Sequence, residues 1–204
     1  MLEVLTALGL IAGSFAATNF DNLALLVSWL LASGRAVRRV LMGHLIGMGA
    51  LLALSVVFGV GAERMPLEYV GFLGVIPILM GLRGLYAVAR QARRAGDEAG
   101  EGDLIERRGA GPLAIAATQV ANGVDTVLVL GPLLADSDQG ADYVMIAGFV
   151  AMVLIWFGLA RLLEVRAARL QVLQRYGEWL APVVLIVVGL YILDNTATDV
   201  LIGD

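Results

Sequence analysis

Residues 17–30 read ATNFDNLALLVSWL, an aspartate flanked by two asparagines inside an otherwise apolar run. The run extends over about residues 4–32, and Asp21 is its only charged side chain. A helix needs roughly 20 apolar residues to cross about 30 Å of hydrocarbon. Similar runs between charge clusters lie near 40–61, 67–89, 112–134, 141–160 and 179–201. The breaks between them are chemically plain. Arg35, Arg38 and Arg39 close the first run, Glu63, Arg64 and Pro66 end the second, and Asp136, Asp138 and Asp142 divide the fourth from the fifth. With 59% apolar residues, 16% charged residues and a mean hydropathy of +0.85, the chain cannot cover a water-facing surface. The expectation is an all-α membrane protein of six transmembrane helices.

An internal repeat organises these spans. A shift of 104 residues lays Thr18-Asn19-Phe20-Asp21-Asn22 on Asn122-Gly123-Val124-Asp125-Thr126, aspartate over aspartate. Ser14 then falls on Thr118, and the matched positions share one helical face. A shift of 105 lays Pro77 and Gly84-Leu85-Tyr86 on Pro182 and Gly189-Leu190-Tyr191. Three spans per copy is an odd number, so the copies must cross the membrane in opposite senses. The expected division is a first repeat over 1–90, a linker over 91–111 and a second repeat over 112–204. Transporters built this way bind their cargo near the midplane, at the repeat interface.

Arginine placement orients the spans, since all 14 basic residues are Arg. Twelve follow spans one, three and five (35, 38, 39, 90, 93, 94, 107, 108, 161, 166, 169 and 175), whereas Arg64 alone serves the opposite side. The positive-inside rule puts the twelve in the cytoplasm and both termini outside. The start, MLEVLTALGLIAGSF, lacks a positive n-region, so residue 1 is expected to stay in the mature chain. The charged, glycine-rich linker reads as disordered. Residues 161–176, RLLEVRAARLQVLQRY, read either as an interfacial helix or as an extension of the fifth span.

Two aspartates at depth need positive partners, because a charge at the bilayer centre costs at least about 2.5–3.5 kcal/mol. The alternative is a hydrogen-bonded pair that joins helices. The candidate cation ligands are Asn19, Asp21, Asn22, Asn122, Asp125 and Thr126, all oxygen donors, with Thr18 and Gln119 beside them. Oxygen-rich sites suit hard divalent ions, whereas soft ions favour sulfur or imidazole. Cysteine is absent, so methionine is the only sulfur. Met48 and Met152 are related by the 104-residue shift, and Met80 is a third mid-span candidate; each is a ligand or simple packing. His44, the sole histidine, is a proton relay or an interfacial residue. Gly43 and Gly47 form a close-packing GxxxG pair. Arg83 either snorkels or serves as a counter-ion when the site is empty. At 29 residues the first run would reach about 43 Å as one helix, so either it breaks at 18–22 or it tilts steeply.

ATNFDNLALLVSWL, GHLIGMGALLALS, VGFLGVIPILMGLRGLY, TQVANGVDTVLVLGPL and WLAPVVLIVVGLYIL together resemble, in order, the motifs of the cadmium-resistance transporter family of the lysine-exporter superfamily. The resemblance covers nearly the whole chain. It implies a six-helix exporter of divalent metal such as cadmium, driven by proton antiport, in a bacterial-type inner membrane. The family's first acidic motif lands on Asn19, Asp21 and Asn22, and its second on Asn122, Gly123 and Asp125. Two positions depart from the family pattern: Asn22 stands where a second acid is usual, and Thr126 where an asparagine is usual. Some relatives in the superfamily export amino acids, which keeps a cationic amino acid or other small organic cation open as cargo.

No HExxH, GxSxG or GxxxxGK[ST] occurs, which argues against a metalloprotease, a hydrolase and a primary ATP-driven pump. The expectation is therefore a non-enzyme with no resident cofactor and no nucleic-acid partner. Its partners are the lipid bilayer, the transported divalent ion and protons, and a homo-oligomer is compatible with the sequence.

Overall fold

Apolar, leucine- and alanine-rich runs without internal breakers fold as long helices. The structure, a computed structural model, describes residues 2–33, 36–62, 64, 65, 69, 72–93, 111–137, 139–165 and 179–195. They form seven helices: α1 (Leu2–Ser33), α2 (Val37–Ala62), α3 (Val75–Arg93), α4 (Pro112–Asn122), α5 (Val124–Ala135), α6 (Gln139–Glu164) and α7 (Trp179–Asn195). Three of the described prolines lie near helix starts, whereas Pro132 stands inside α5. Pro112 is the first residue of α4, and Pro77 and Pro182 lie in the first turns of α3 and α7. The missing N–H costs nothing at such positions.

Helices α1, α2 and α6 are long and apolar enough to cross a membrane, and the pair α4–α5 makes a fourth such segment if it counts as one span. Helix α3 begins only at Val75, later than the expected third span, and α7 is described from Trp179 to Asn195; these lengths are about 28 and 26 Å at 1.5 Å per residue. Most of the 91–111 linker, most of the 161–176 stretch and residues 196–201 lie outside the described residues.

The first span is one unbroken helix from Leu2 to Ser33, about 48 Å long. The break anticipated at 18–22 is therefore absent there, and of the two readings of its length, tilt survives. The interruption falls instead on the repeat-related position, Gly123, where α4 and α5 meet at a 64° bend. Gly123 is closely enclosed: a Cβ there would lie 2.3 Å from Leu51 Cδ1 and 2.9 Å from the Gln119 carbonyl. In the first repeat the matching residue is Asn19, whose side chain donates to the Phe15 carbonyl one turn earlier within an unbroken helix.

Packing crosses between the two halves of the sequence. Helix α1 lies mainly along α6, and α2 lies along both α4 and α5. Along the α1–α6 seam, Phe15 meets Phe149 edge to face at 5.1 Å and Trp156 at 5.5 Å, and Phe20 meets Trp156 at 5.8 Å. Helices α3 and α7 run antiparallel, since a Cβ on Gly81 would sit 2.5 Å from the Pro182 carbonyl and one on Gly189 would sit 2.4 Å from the Gly74 carbonyl. Small residues let the backbones touch where lipid supplies no hydrophobic drive. Asn195 at the end of α7 donates to the backbone and side chain of Asp136 after α5, at 3.3 and 3.1 Å. Outward faces stay apolar, with Val57, Leu79, Leu113 and Leu154 all exposed, as a lipid-facing surface requires.

Candidate functional site

Asp21 and Asp125, 104 residues apart in sequence, reach the same cavity. It holds about 240 Å³ and is lined by Ala17, Thr18, Phe20 and Asp21 of α1, Asp125 of α5, Gly84, Ala87 and Val88 of α3, and Ala181 and Pro182 of α7. Asp21 is exposed to this space and Asp125 is half-buried. Asp125 stands in the first turn of α5, just after the break, and its carboxylate accepts from the Thr126 backbone N–H at 2.9 Å. A helix N-terminus favours a negative group there, so the break at Gly123 holds this carboxylate in place.

The remaining expected ligands form a buried network beside the cavity. The Thr126 hydroxyl donates to Thr18 Oγ1 at 3.1 Å and accepts from Asn19 Nδ2 at 3.3 Å. Asn19 Nδ2 also donates to Thr18 Oγ1 at 3.0 Å, while its backbone carbonyl accepts from the Trp156 indole at 2.9 Å. Asn22 Nδ2 donates to Asn19 Oδ1 at 2.9 Å. Among the described residues Asn22 Oδ1 is buried with no hydrogen-bond partner, an acceptor with unmet capacity beside Asp21. Asn122 is exposed and outside the cavity lining.

Several secondary candidates fall elsewhere. Met48 is in the core, and Met80 and Met152 pack against it, so all three fill space. Arg83 is exposed and does not line the cavity. His44 is fully buried among the helices. Its Nε2 lies 3.1 Å from the Val153 carbonyl, which only accepts, so this nitrogen carries the proton in a neutral ring. Nδ1 then accepts from Gln119 Nε2 at 2.8 Å. Both ring nitrogens are thus engaged in a bridge between α2, α4 and α6, and Gln119 belongs to that bridge instead of the aspartate cavity. Gly47 makes room for it, because a Cβ there would lie 2.9 Å from Gln119 Oε1. The GxxxG pair does pack closely: a Cβ on Gly43 would meet Ile115 at 2.7 Å.

Sequence reasoning missed the cavity's far wall. Gly84 and Pro182 were visible as the matched motif of α3 and α7, yet nothing in that motif says that it faces the aspartates. Trp156 gave no signal at all.

The donor set can hold a cation. Two carboxylates balance a divalent charge, Thr18 also lines the cavity, and the cavity leaves room for retained water, whereas the unpartnered Asn22 carbonyl is not part of its lining. Among the described residues no three His, Cys, Asp or Glu side chains cluster in a way that could hold a metal ion. No curated protein and no solved structure matches the chain. A family model described as cadmium resistance transporter matches residues 15–202, nearly the whole sequence. The chain, with its two aspartates opening into one cavity between helices, belongs to the cadmium resistance transporter family.

Proposed function

We propose that the protein is a secondary-active exporter of a divalent metal cation, cadmium or a related ion, working by proton antiport through a site at the interface of two inverted three-helix repeats. The observation that carries this reading is the cavity into which Asp21 and Asp125 both open. Two carboxylates in a low-dielectric space need two units of positive charge, which one divalent ion or two protons supply. Exchange of one for the other is antiport. Asp21, Asp125, Thr18 and the neighbouring Asn19, Asn22 and Thr126 form the binding region, and Asn122 belongs to its outer margin.

The packing supports the inverted repeat. Helix α1 lies on α6 and α2 lies on α4–α5, so the first span of each half packs on the second span of the other. The third spans, α3 and α7, meet each other antiparallel, as a two-fold axis between them requires. On this reading α4 and α5 are one broken span, and six spans put both termini outside a bacterial-type inner membrane. Broken spans are where such transporters hold ions.

Uptake into inside-out vesicles tests the function. With cadmium, zinc, manganese, lysine and arginine offered in turn, cadmium or another divalent metal should accumulate when the lumen is acid, and not when the pH gradient is collapsed. Accumulation of lysine or arginine with no metal would replace this reading by export of an organic cation.

A further inference from the structure

Thr18 lines two spaces at once. One is the open aspartate cavity. The other is a cleft lined by Ile11, Ser14, Phe15 and Thr18 of α1, Thr126, Val129 and Leu130 of α5, and Phe149 of α6, which has no room for a water molecule. The two spaces lead in opposite directions. From the aspartates the open cavity runs along the last turns of α3 (Gly84, Ala87, Val88) and the first turn of α7 (Ala181, Pro182), toward the arginine-rich side. The closed cleft runs from Thr18 back toward the start of α1 and from Thr126 on toward the end of α5, the side with few arginines. Between them stands the hydroxyl pair of Thr126 and Thr18, 3.1 Å apart, one residue from each half. Beyond the pair, the Phe15 and Phe149 rings close edge to face at 5.1 Å.

We propose that the Thr18–Thr126 hydroxyl pair is the gate between the cation cavity and a closed outward path, whose next polar group is Ser14. This rests on the transport reading above and deepens it: the structure is the inward-facing state, and Ser14, Thr18 and Thr126 are the hydroxyl oxygens that receive the cation as it leaves the aspartates. The polar groups along the cleft are themselves buried: Ser14 and Thr18 are 3% and 5% exposed and Thr126 is 2% exposed. A cleft sealed on one side of the aspartates and a cavity open on the other are what one end state of an alternating-access cycle presents. Hydroxyls suit a gate of this kind. Their mutual hydrogen bonds are modest in net strength, so the pair closes the path yet parts for a cation that offers its own coordination.

Thiol accessibility tests this without any metal. The chain has no cysteine, so single cysteines at Ser14 and Ala87 report the closed cleft and the open cavity without background. An impermeant maleimide, applied to right-side-out and inside-out vesicles, should label A87C from the cytoplasmic face and S14C from neither. Adding Thr126→Ala removes the gate bond and should speed S14C labelling from the outer face by about tenfold, the order expected for loss of one or two buried hydrogen bonds. Thr126→Ser keeps the hydroxyl and should return S14C to its protected state. A87C labelling in the Thr126→Ala background shows that the protein is still folded. The gate is overturned if S14C labels as fast as A87C with Thr126 intact, or if Thr126→Ala leaves S14C unchanged while A87C still reacts. A protein that gates in this way but carries no cadmium in the vesicle assay would separate failure of the metal reading from failure of the gate. Labelling of A87C from the outside alone would reverse the orientation and leave the gate standing.

Discussion

At the scale of single residues, position in the sequence and role in the molecule separate cleanly for Asn22. Its place beside Asp21 marks it as a ligand, and its amide is half-engaged, with Nδ2 on Asn19 Oδ1 at 2.9 Å and Oδ1 unpaired. Asn22→Asp adds a carboxylate to the cation region but removes the donor to Asn19. Divalent affinity should rise by about tenfold, about 1.4 kcal/mol, while the metal-free protein melts earlier. Cadmium titration and melting curves with and without cadmium check both signs. His44 behaves otherwise. Sequence reasoning offered it as a proton relay or an interfacial residue, but periodicity cannot show that Val153 and Gln119 hold both its nitrogens. His44→Ala leaves a buried carbonyl and a buried amide without partners. It should cost about 1–3 kcal/mol of stability, read as an earlier thermal transition in detergent, with the pH dependence of transport unchanged. The paired aspartates themselves were legible because a charge inside an apolar run is costly and the 104-residue shift lays one on the other.

At the scale of helices, apolar run length located α1, α2, α4–α5 and α6, since a span without internal charge or breaker has only one way to satisfy its backbone in lipid. The bend was harder to read. Both repeats carry a polar cluster at the same register, yet the one that breaks has Gly123, with Leu51 close against it, where the other has Asn19. Leu51 is far from Gly123 in sequence. The motifs of α3 and α7 were visible as a matched pair but their contact was not, and the tightness of that contact gives a direct test. A Cβ on Gly189 would meet a backbone carbonyl at 2.4 Å, which cannot swing aside as a side chain can. Gly189→Ala should therefore push α7 from α3 and destabilise the fold by about 1–3 kcal/mol. Gly158→Ala, where a Cβ would meet nothing within 4 Å, should melt like the parent.

At the scale of the whole molecule, the arginine bias bears on orientation, whereas the crossed packing of the halves, α1 on α6 and α2 on α4–α5, bears only on how the helices sit together. Orientation is checked with single cysteines at Ser33, Ala99 and Ser137 on intact cells: an impermeant thiol reagent should reach S137C and neither S33C nor A99C. The central claim, that Asp21 and Asp125 form one cation site that exchanges metal for protons, is tested most directly by cadmium uptake into acid-loaded inside-out vesicles carrying Asp21→Asn or Asp125→Asn. Each variant should be present as folded protein in the membrane and should lose uptake. If either one moves cadmium at the parent rate with the parent's dependence on the pH gradient, the two aspartates do not form a shared antiport site.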